Sequence, residues 1–353
     1  MRSSTPRTRR SPWRAGPRDF VPALPRRLAA LSVVLVGALL VSLPLLLFLT
    51  TPRTTGGPII QGQFPVTVDP ARKVIIDDAR VNALFAAPLP SPHTTDTDAE
   101  PLLTKVAGWV ASALEATGLY HDMAALEGRS VTILPGMRKE QIASIFGKEL
   151  GWSDAQTREF ITPVASSSLP LFEGSFSPGT YAIHTGMTPR EAQSAVNARF
   201  KSDVLSHYGA AVSRRVPLDD ALTIASLIER ETLNGNGMRL VSGIIWNRLF
   251  SGMNLQIDAT VQYAKANEKS VSRWWPNVLP RDIYRRSPYN TYQNPGLPPT
   301  PIASPSVAAI LAALNPIKTS CLFYFNDEAG TILCSDTYDE HVARLKQEYG
   351  RGK

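Results

Sequence analysis

DDALTIASLIERET, residues 219–232, sets two carboxylates inside an apolar helical pattern. At about 3.6 residues per turn, Leu218, Leu222, Ala225, Ile228 and Thr232 fall on one face, with Glu229 among them. Ile224 and Leu227 form a second apolar stripe on the opposite side, and Glu231 falls into that one. A helix apolar on both sides is expected in the interior, where an ionised glutamate is costly and its pKa rises. A carboxylic acid that keeps its proton towards neutral pH can serve as a general acid. A basic or backbone donor beside each Glu would make the pair purely structural. The pattern leaves both roles, and the choice of residue, open.

Charge is concentrated at one end. The first 27 residues hold eight arginines against Asp19, and the rest of the chain balances its acids and bases. The body therefore carries no electrostatic footprint for nucleic acid. Leu28–Pro52 follows, 25 residues without a charge between Arg27 and Arg53. Roughly 20 apolar residues span a bilayer, so this stretch predicts a single transmembrane helix. The arginine asymmetry puts the N-terminus in the cytoplasm and the body outside, with the lipid bilayer as a partner. A cleaved signal peptide is the alternative, but the apolar run is long and no clear A-x-A site follows it. Two cysteines, in CLFYFNDEAGTILC (321–334), bracket two strand-like runs. A four-residue loop at 326–329 would set Cys321 opposite Cys334, and an oxidising exterior would allow a cross-strand disulfide.

The expected fold class is α+β. Residues 1–27 form a basic cytoplasmic arm, 28–52 the membrane helix, and 53–128 a stalk and an unassigned region that starts with a strand pair or one long strand at 66–76. Within 129–200, Ser130–Leu134 alternates like a strand and Pro135-Gly136 turns. Arg138–Leu150 is amphipathic, and Ser153 or Asp154 caps a helix running through Ile161. FEGSFSPGTY (172–181) has the composition of a tight turn, and Thr188 with Pro189 opens a further helix. Residues 201–350 form the densest block. After the glutamate helix, LNGNG (233–237) reads as a turn and Arg239–Phe250 as a helix. In NLQIDATV, Gln256, Asp258 and Thr260 alternate with apolar residues, so an extended stretch would aim all three one way. SPYNTY (287–292) and GLPP (296–299) are proline-stiffened loops carrying Ser287, Tyr289 and Asn290. Rings, hydroxyls and amides of this kind suit a carbohydrate.

In order, ASLIERET (225–232), VSGIIWNRLFSGMNLQIDATVQYA (241–264), SPYNTYQNPGLPPTPIASP (287–305), LAALNP (311–316) and TYDEH (337–341) resemble the endolytic murein transglycosylases, the YceG-like group. The resemblance covers roughly residues 130–348, and VTILPGMRKEQIASIF (131–146) resembles that family's LysM-like sub-domain. It implies a mixed α+β catalytic domain that cuts the bond between N-acetylmuramic acid and N-acetylglucosamine inside peptidoglycan strands. The products would carry 1,6-anhydro ends, limiting nascent strand length, with peptidoglycan synthases as further partners and no cofactor. Carried over by position, the catalytic glutamate is Glu229. Glu231 matches a flanking acidic position, and Gln256, Asp258, Thr260, Ser287, Tyr289 and Asn290 are the candidate substrate-binding and supporting residues. The chain departs from the family's usual pattern at Gly179, where aspartate is common, and at Ile332, where a histidine stands. It also has Val342 after His341 in place of asparagine, and a shorter link at Asn236–Met238.

Two other readings stay open. One is a hydrolytic muramidase with Glu229 as acid and Asp258 as base; the other is a non-catalytic, membrane-tethered peptidoglycan-binding protein. Metal chemistry finds no support, since His93, His121, His184, His207 and His341 are scattered without H-E-x-x-H or C-x-x-C spacing.

Overall fold

The computed structural model describes residues 62–86, 129–163, 172–232, 235–268, 272–327 and 330–350. All belong to one compact unit that takes in residues 55–99 and 115–353. The basic arm, the apolar stretch 28–52 and the segment 100–117 lie outside the described residues. Among the described residues, no helix is long and apolar enough to cross a membrane.

The architecture is mixed α+β, and the described residues form three two-stranded antiparallel sheets among many helices. The first sheet, β1 (Val68–Asp69) on β2 (Val74–Ile75), takes the strand-pair form of the two left open for 66–76 and leads into α1 (Ala79–Ala86). A second unit follows: β3 (Arg129–Ile133), α2 (Lys139–Leu150), α3 (Asp154–Ile161), β4 (Gly179–Ile183) and α4 (Pro189–Asp203). Its sheet pairs Arg129 with Ile183 and Ile133 with Gly179. The FEGSFSPGTY segment is thus only half a turn, since its last residues enter β4. Alternation in Gly179–Ile183 buries Tyr181 and Ile183 on one face, a pattern hidden by the Gly and Pro that precede it. The helix starts are locally encoded. Ser153 with Gln156, and Thr188 with Glu191, each form a reciprocal capping box. Phe146, Phe160, Phe176, Val131 and Ile133 fill this unit's own core.

The larger core surrounds the glutamate helix. After the short α5 (Ala210–Arg215), α6 (Leu218–Glu231) has nine consecutive buried residues, Ala221 through Glu229. Asp219 and Asp220 sit in its first turn, where they complement the positive end of the helix. It packs against α7 (Gly235–Ser251) and α9 (Val307–Leu314), with α8 (Asp258–Ala266) near its end. Each fully buried Leu or Ile here contributes about 1.5–3 kcal/mol. Because α7 begins at Gly235, the expected turn at 233–237 is shorter than its composition suggested. The chain closes with the hairpin β5 (Phe323–Asn326) and β6 (Ile332–Ser335), then α10 (Tyr338–Tyr349).

The two cores meet close to the end of α6. Gly136 donates its N–H to the Ser304 carbonyl at 2.8 Å, and Ser304 donates back to Met137 at 2.8 Å. Gly136 has φ of +77°, and a Cβ there would stand 3.1 Å from the Arg230 guanidinium. The left-handed backbone favours glycine here, and any side chain would also have to displace the Arg230 guanidinium by a few tenths of an ångström.

Candidate active site

The last turn of α6 sends its two carboxylates into different surroundings. Glu229 is 4% exposed. Its Oε2 accepts the backbone N–H of Ser306 at 2.8 Å and the Ser306 hydroxyl at 2.6 Å. Ser306 is the N-cap of α9, and its Oγ also accepts the Ala309 N–H. Burial raises the Glu229 pKa, while the two Ser306 bonds oppose that rise. Next to it, Arg230 lies 4.0 Å over the Trp275 ring.

Glu231, the final helical residue, is half-buried and faces the hairpin and α8. Its Oε2 accepts the Tyr324 hydroxyl at 2.9 Å. Burial pushes its pKa up; the Tyr324 bond works against this, and the Asp258 charge adds to it. Asp258, the exposed first residue of α8, accepts the Tyr292 hydroxyl at 2.7 Å. Each carboxylate therefore has its own phenol. Gln256 is exposed with φ of +53°, a left-handed backbone that few non-glycine residues adopt. Its amide N–H donates to the Thr291 carbonyl, and its side-chain oxygen accepts from Arg248 at 3.4 Å.

Arg248 is nearly enclosed and donates to the Leu322 carbonyl at 2.6 Å and the Leu255 carbonyl at 2.7 Å. It links the hairpin to the loop that leads into α8. Neither Arg248, Tyr292, Tyr324 nor Ser306 stood out in the sequence. Their signal is spatial: Tyr324 lies 93 residues from its partner, and Ser306 lies 77 from Glu229.

The expected extended stretch through Gln256, Asp258 and Thr260 is not what forms. Asp258 starts a helix, and Thr260 turns inward, wholly buried, with its hydroxyl on the Ile257 carbonyl and against Thr291. The alternation over 255–261 is equally compatible with the first turn of a helix, and Asp258 at its N-terminus favours that outcome. Asn290 is also wholly buried. Its amide donates to the Ile283 and Arg285 carbonyls and its oxygen accepts the Tyr292 N–H, so it fixes the loop that carries Tyr292. Tyr289 packs at a tilt against Tyr263, ring centroids 4.8 Å apart, and meets Thr300 through its hydroxyl, while Ser287 caps the Tyr289 N–H. An open cavity of about 470 Å³ lined by Tyr284, Arg286, Ser287, Pro288, Gln293 and Asn294 takes in Ser287 but neither glutamate. Together, then, stand Glu231, Asp258 and Gln256; Glu229 faces α9, and Thr260 and Asn290 support from within.

The hairpin register also differs from expectation. Tyr324, not Cys321, stands opposite Cys334, because the loop runs from Asp327 to Thr331, five residues where four were expected. The Cys321–Cys334 disulfide forms nonetheless, with Cα atoms 5.8 Å apart. Among the described residues, no group of His, Cys, Asp and Glu is arranged to hold a metal ion.

This helix-rich α+β body, with a paired-carboxylate helix end and a disulfide-closed hairpin, has relatives. The profile of the YceG-like family matches residues 110–347, and the chain belongs to that family. An endolytic murein transglycosylase of Bacillus subtilis (strain 168) is 30% identical over 240 residues, 62% of this chain and 64% of the relative. One from Streptococcus pneumoniae serotype 2 (strain D39) is 28% identical over 239 residues, 60% of this chain and 43% of the relative. The chain thus spans less than two thirds of the length of these curated relatives. A crystal structure of a YceG-like protein from Listeria monocytogenes superposes with a TM-score of 0.52 at 26% identity, covering 62% of this chain and 76% of that one.

Proposed function

We propose that this chain is a membrane-anchored endolytic lytic transglycosylase that cuts peptidoglycan glycan strands at the bond after N-acetylmuramic acid. Family membership supports the reaction class, and both catalogued relatives described above carry that activity in their names. In this reading the apolar stretch 28–52 anchors the chain with the body outside the cell, and peptidoglycan synthases are neighbours of the anchored enzyme. Two antiparallel strands around two helices, β3-α2-α3-β4, support a LysM-like role in gripping the glycan.

The observation that carries the mechanism is Glu231, only partly buried at the end of α6, whose pKa is raised beside the exposed Asp258. Protonated Glu231 donates to the glycosidic oxygen, and the leaving sugar departs with that proton. The Asp258 carboxylate stabilises the positive charge that develops at C1. Glu231, now ionised, takes the proton of the muramyl C6 hydroxyl, whose oxygen closes on C1. One bond breaks, one forms, and no water is consumed. Activity falls as pH rises through the raised pKa of Glu231, because the acid form is then lost.

A second reading keeps Glu229 as the acid, as motif position implies; its raised pKa favours it. Against it stand its near-complete burial and the two Ser306 donors that converge on one oxygen. The full-length protein, Glu231→Gln and Glu229→Gln are each incubated with purified glycan strands, and anhydro-muramyl ends are measured. Loss with Glu231→Gln alone supports the first reading, and loss with Glu229→Gln alone supports the second. A wild type that releases no anhydro ends refutes the transglycosylase.

A further inference from the structure

We propose that Tyr324 is a positioning residue for this reaction: its hydroxyl holds Oε2 of Glu231 and so reserves Oε1 for the proton that moves. The inference rests on Glu231 as the acid. The Tyr324 hydroxyl has a single proton and one bond among the described residues, to Oε2 at 2.9 Å. When Glu231 is protonated, the better acceptor is its carbonyl oxygen, so the phenol makes Oε2 the carbonyl and leaves the acidic proton on Oε1. After transfer, the same bond stabilises the carboxylate until it takes the C6 proton. Burial holds the Tyr324 phenol far above its ordinary pKa, so it remains a donor wherever the enzyme works.

The placement of that hydroxyl is secured from several sides. A lone two-stranded hairpin is marginally stable, and β5–β6 would wander without anchors. Cys334, directly across the sheet from Tyr324, is tied by the disulfide to Cys321. Asn247 donates to the Cys321 carbonyl, Arg248 to that of Leu322, and the Tyr349 hydroxyl to that of Asn326. Strand, disulfide and two helices thus converge on one phenol. Asp258, held by its own partner Tyr292, adds a negative charge that favours the Glu231 proton, and the weaker opposing pull of the Arg230 guanidinium does not cancel it.

Tyr324→Phe keeps the ring and removes only the bond. For the full-length enzyme acting on glycan strands, kcat is expected to fall about tenfold, the size of one hydrogen bond to a charged group, with KM unchanged. The bond favours ionised Glu231, so its loss raises the acid's pKa and moves the alkaline limb of the pH profile to higher pH. An unchanged kcat and limb would overturn the proposal. So would a matched fall in kcat and rise in KM without a limb shift, which marks a merely structural tyrosine. Glu231→Gln, run beside it, separates the two levels: if it stays active, the acid assignment itself fails.

Discussion

Glu229 and Glu231 are two residues apart on one helix, yet they face different neighbours. The first meets the N-terminus of α9, where a backbone N–H and a hydroxyl of Ser306 both fix one of its oxygens. The second meets a phenol, an exposed aspartate and solvent, where one oxygen is held by Tyr324. Burial raises both pKa values, so perturbation alone does not separate them. Access does. A proton can reach a sugar only from the carboxyl that a sugar can approach, and a buried, doubly held carboxylate is better suited to joining two helices.

The largest expected effect tests that contrast. Glu231→Gln should lower turnover by about 10²–10⁴, the usual contribution of a general acid–base group, with little change in melting temperature. Glycan digestion with calorimetry checks both. The hairpin beside Glu231 should prove the more separable region. Cys321→Ser/Cys334→Ser removes a cross-link between residues 13 apart in sequence, which on chain-entropy grounds costs about 3 kcal/mol. Thermal melts of oxidised wild type against the double variant read it.

Much of the fold was legible before any coordinates. The helix cap at Thr188, the cap narrowed to Ser153 or Asp154, the Pro135-Gly136 turn and the buried face of α6 all follow from residues within one or two helical turns of each other. What failed was set by tertiary partners. Strand β4 exists because β3 pairs with it from some fifty residues upstream. The hairpin register depends on Asp327, whose side chain takes the Thr331 N–H and whose own N–H reaches back to Thr331, closing a five-residue loop. The surroundings that separate the two glutamates in the proposed reading, Ser306 and Tyr324, are likewise ones that no local pattern connects to α6.

Two smaller effects sharpen the comparison. Glu173, 4% exposed at the seam between the cores, accepts the Lys139 N–H and the Tyr263 hydroxyl, and its pKa rises from 4.5 to about 8, chiefly through burial. A raised carboxyl pKa contributes stability in full below the unfolded value. That contribution is lost as pH rises through the folded one. Unfolding free energy should therefore fall between about pH 4.5 and 8, by a few kcal/mol at most, which thermal melts would read as a lower melting temperature, and Glu173→Gln should flatten that slope. Ser306→Ala removes both a helix cap and one bond to Glu229, at a cost of about 1–2 kcal/mol by denaturant titration. If α9 is only the partner of a structural carboxylate, turnover should survive this change.

The central claim is that Glu231 expels the leaving sugar and then closes the ring without water. Glycan strands digested by the full-length enzyme in water enriched in heavy oxygen test this directly by mass spectrometry. Anhydro-muramyl ends free of the label, absent with Glu231→Gln and present with Glu229→Gln, are predicted. Labelled reducing ends, or anhydro ends undiminished in Glu231→Gln, would contradict it.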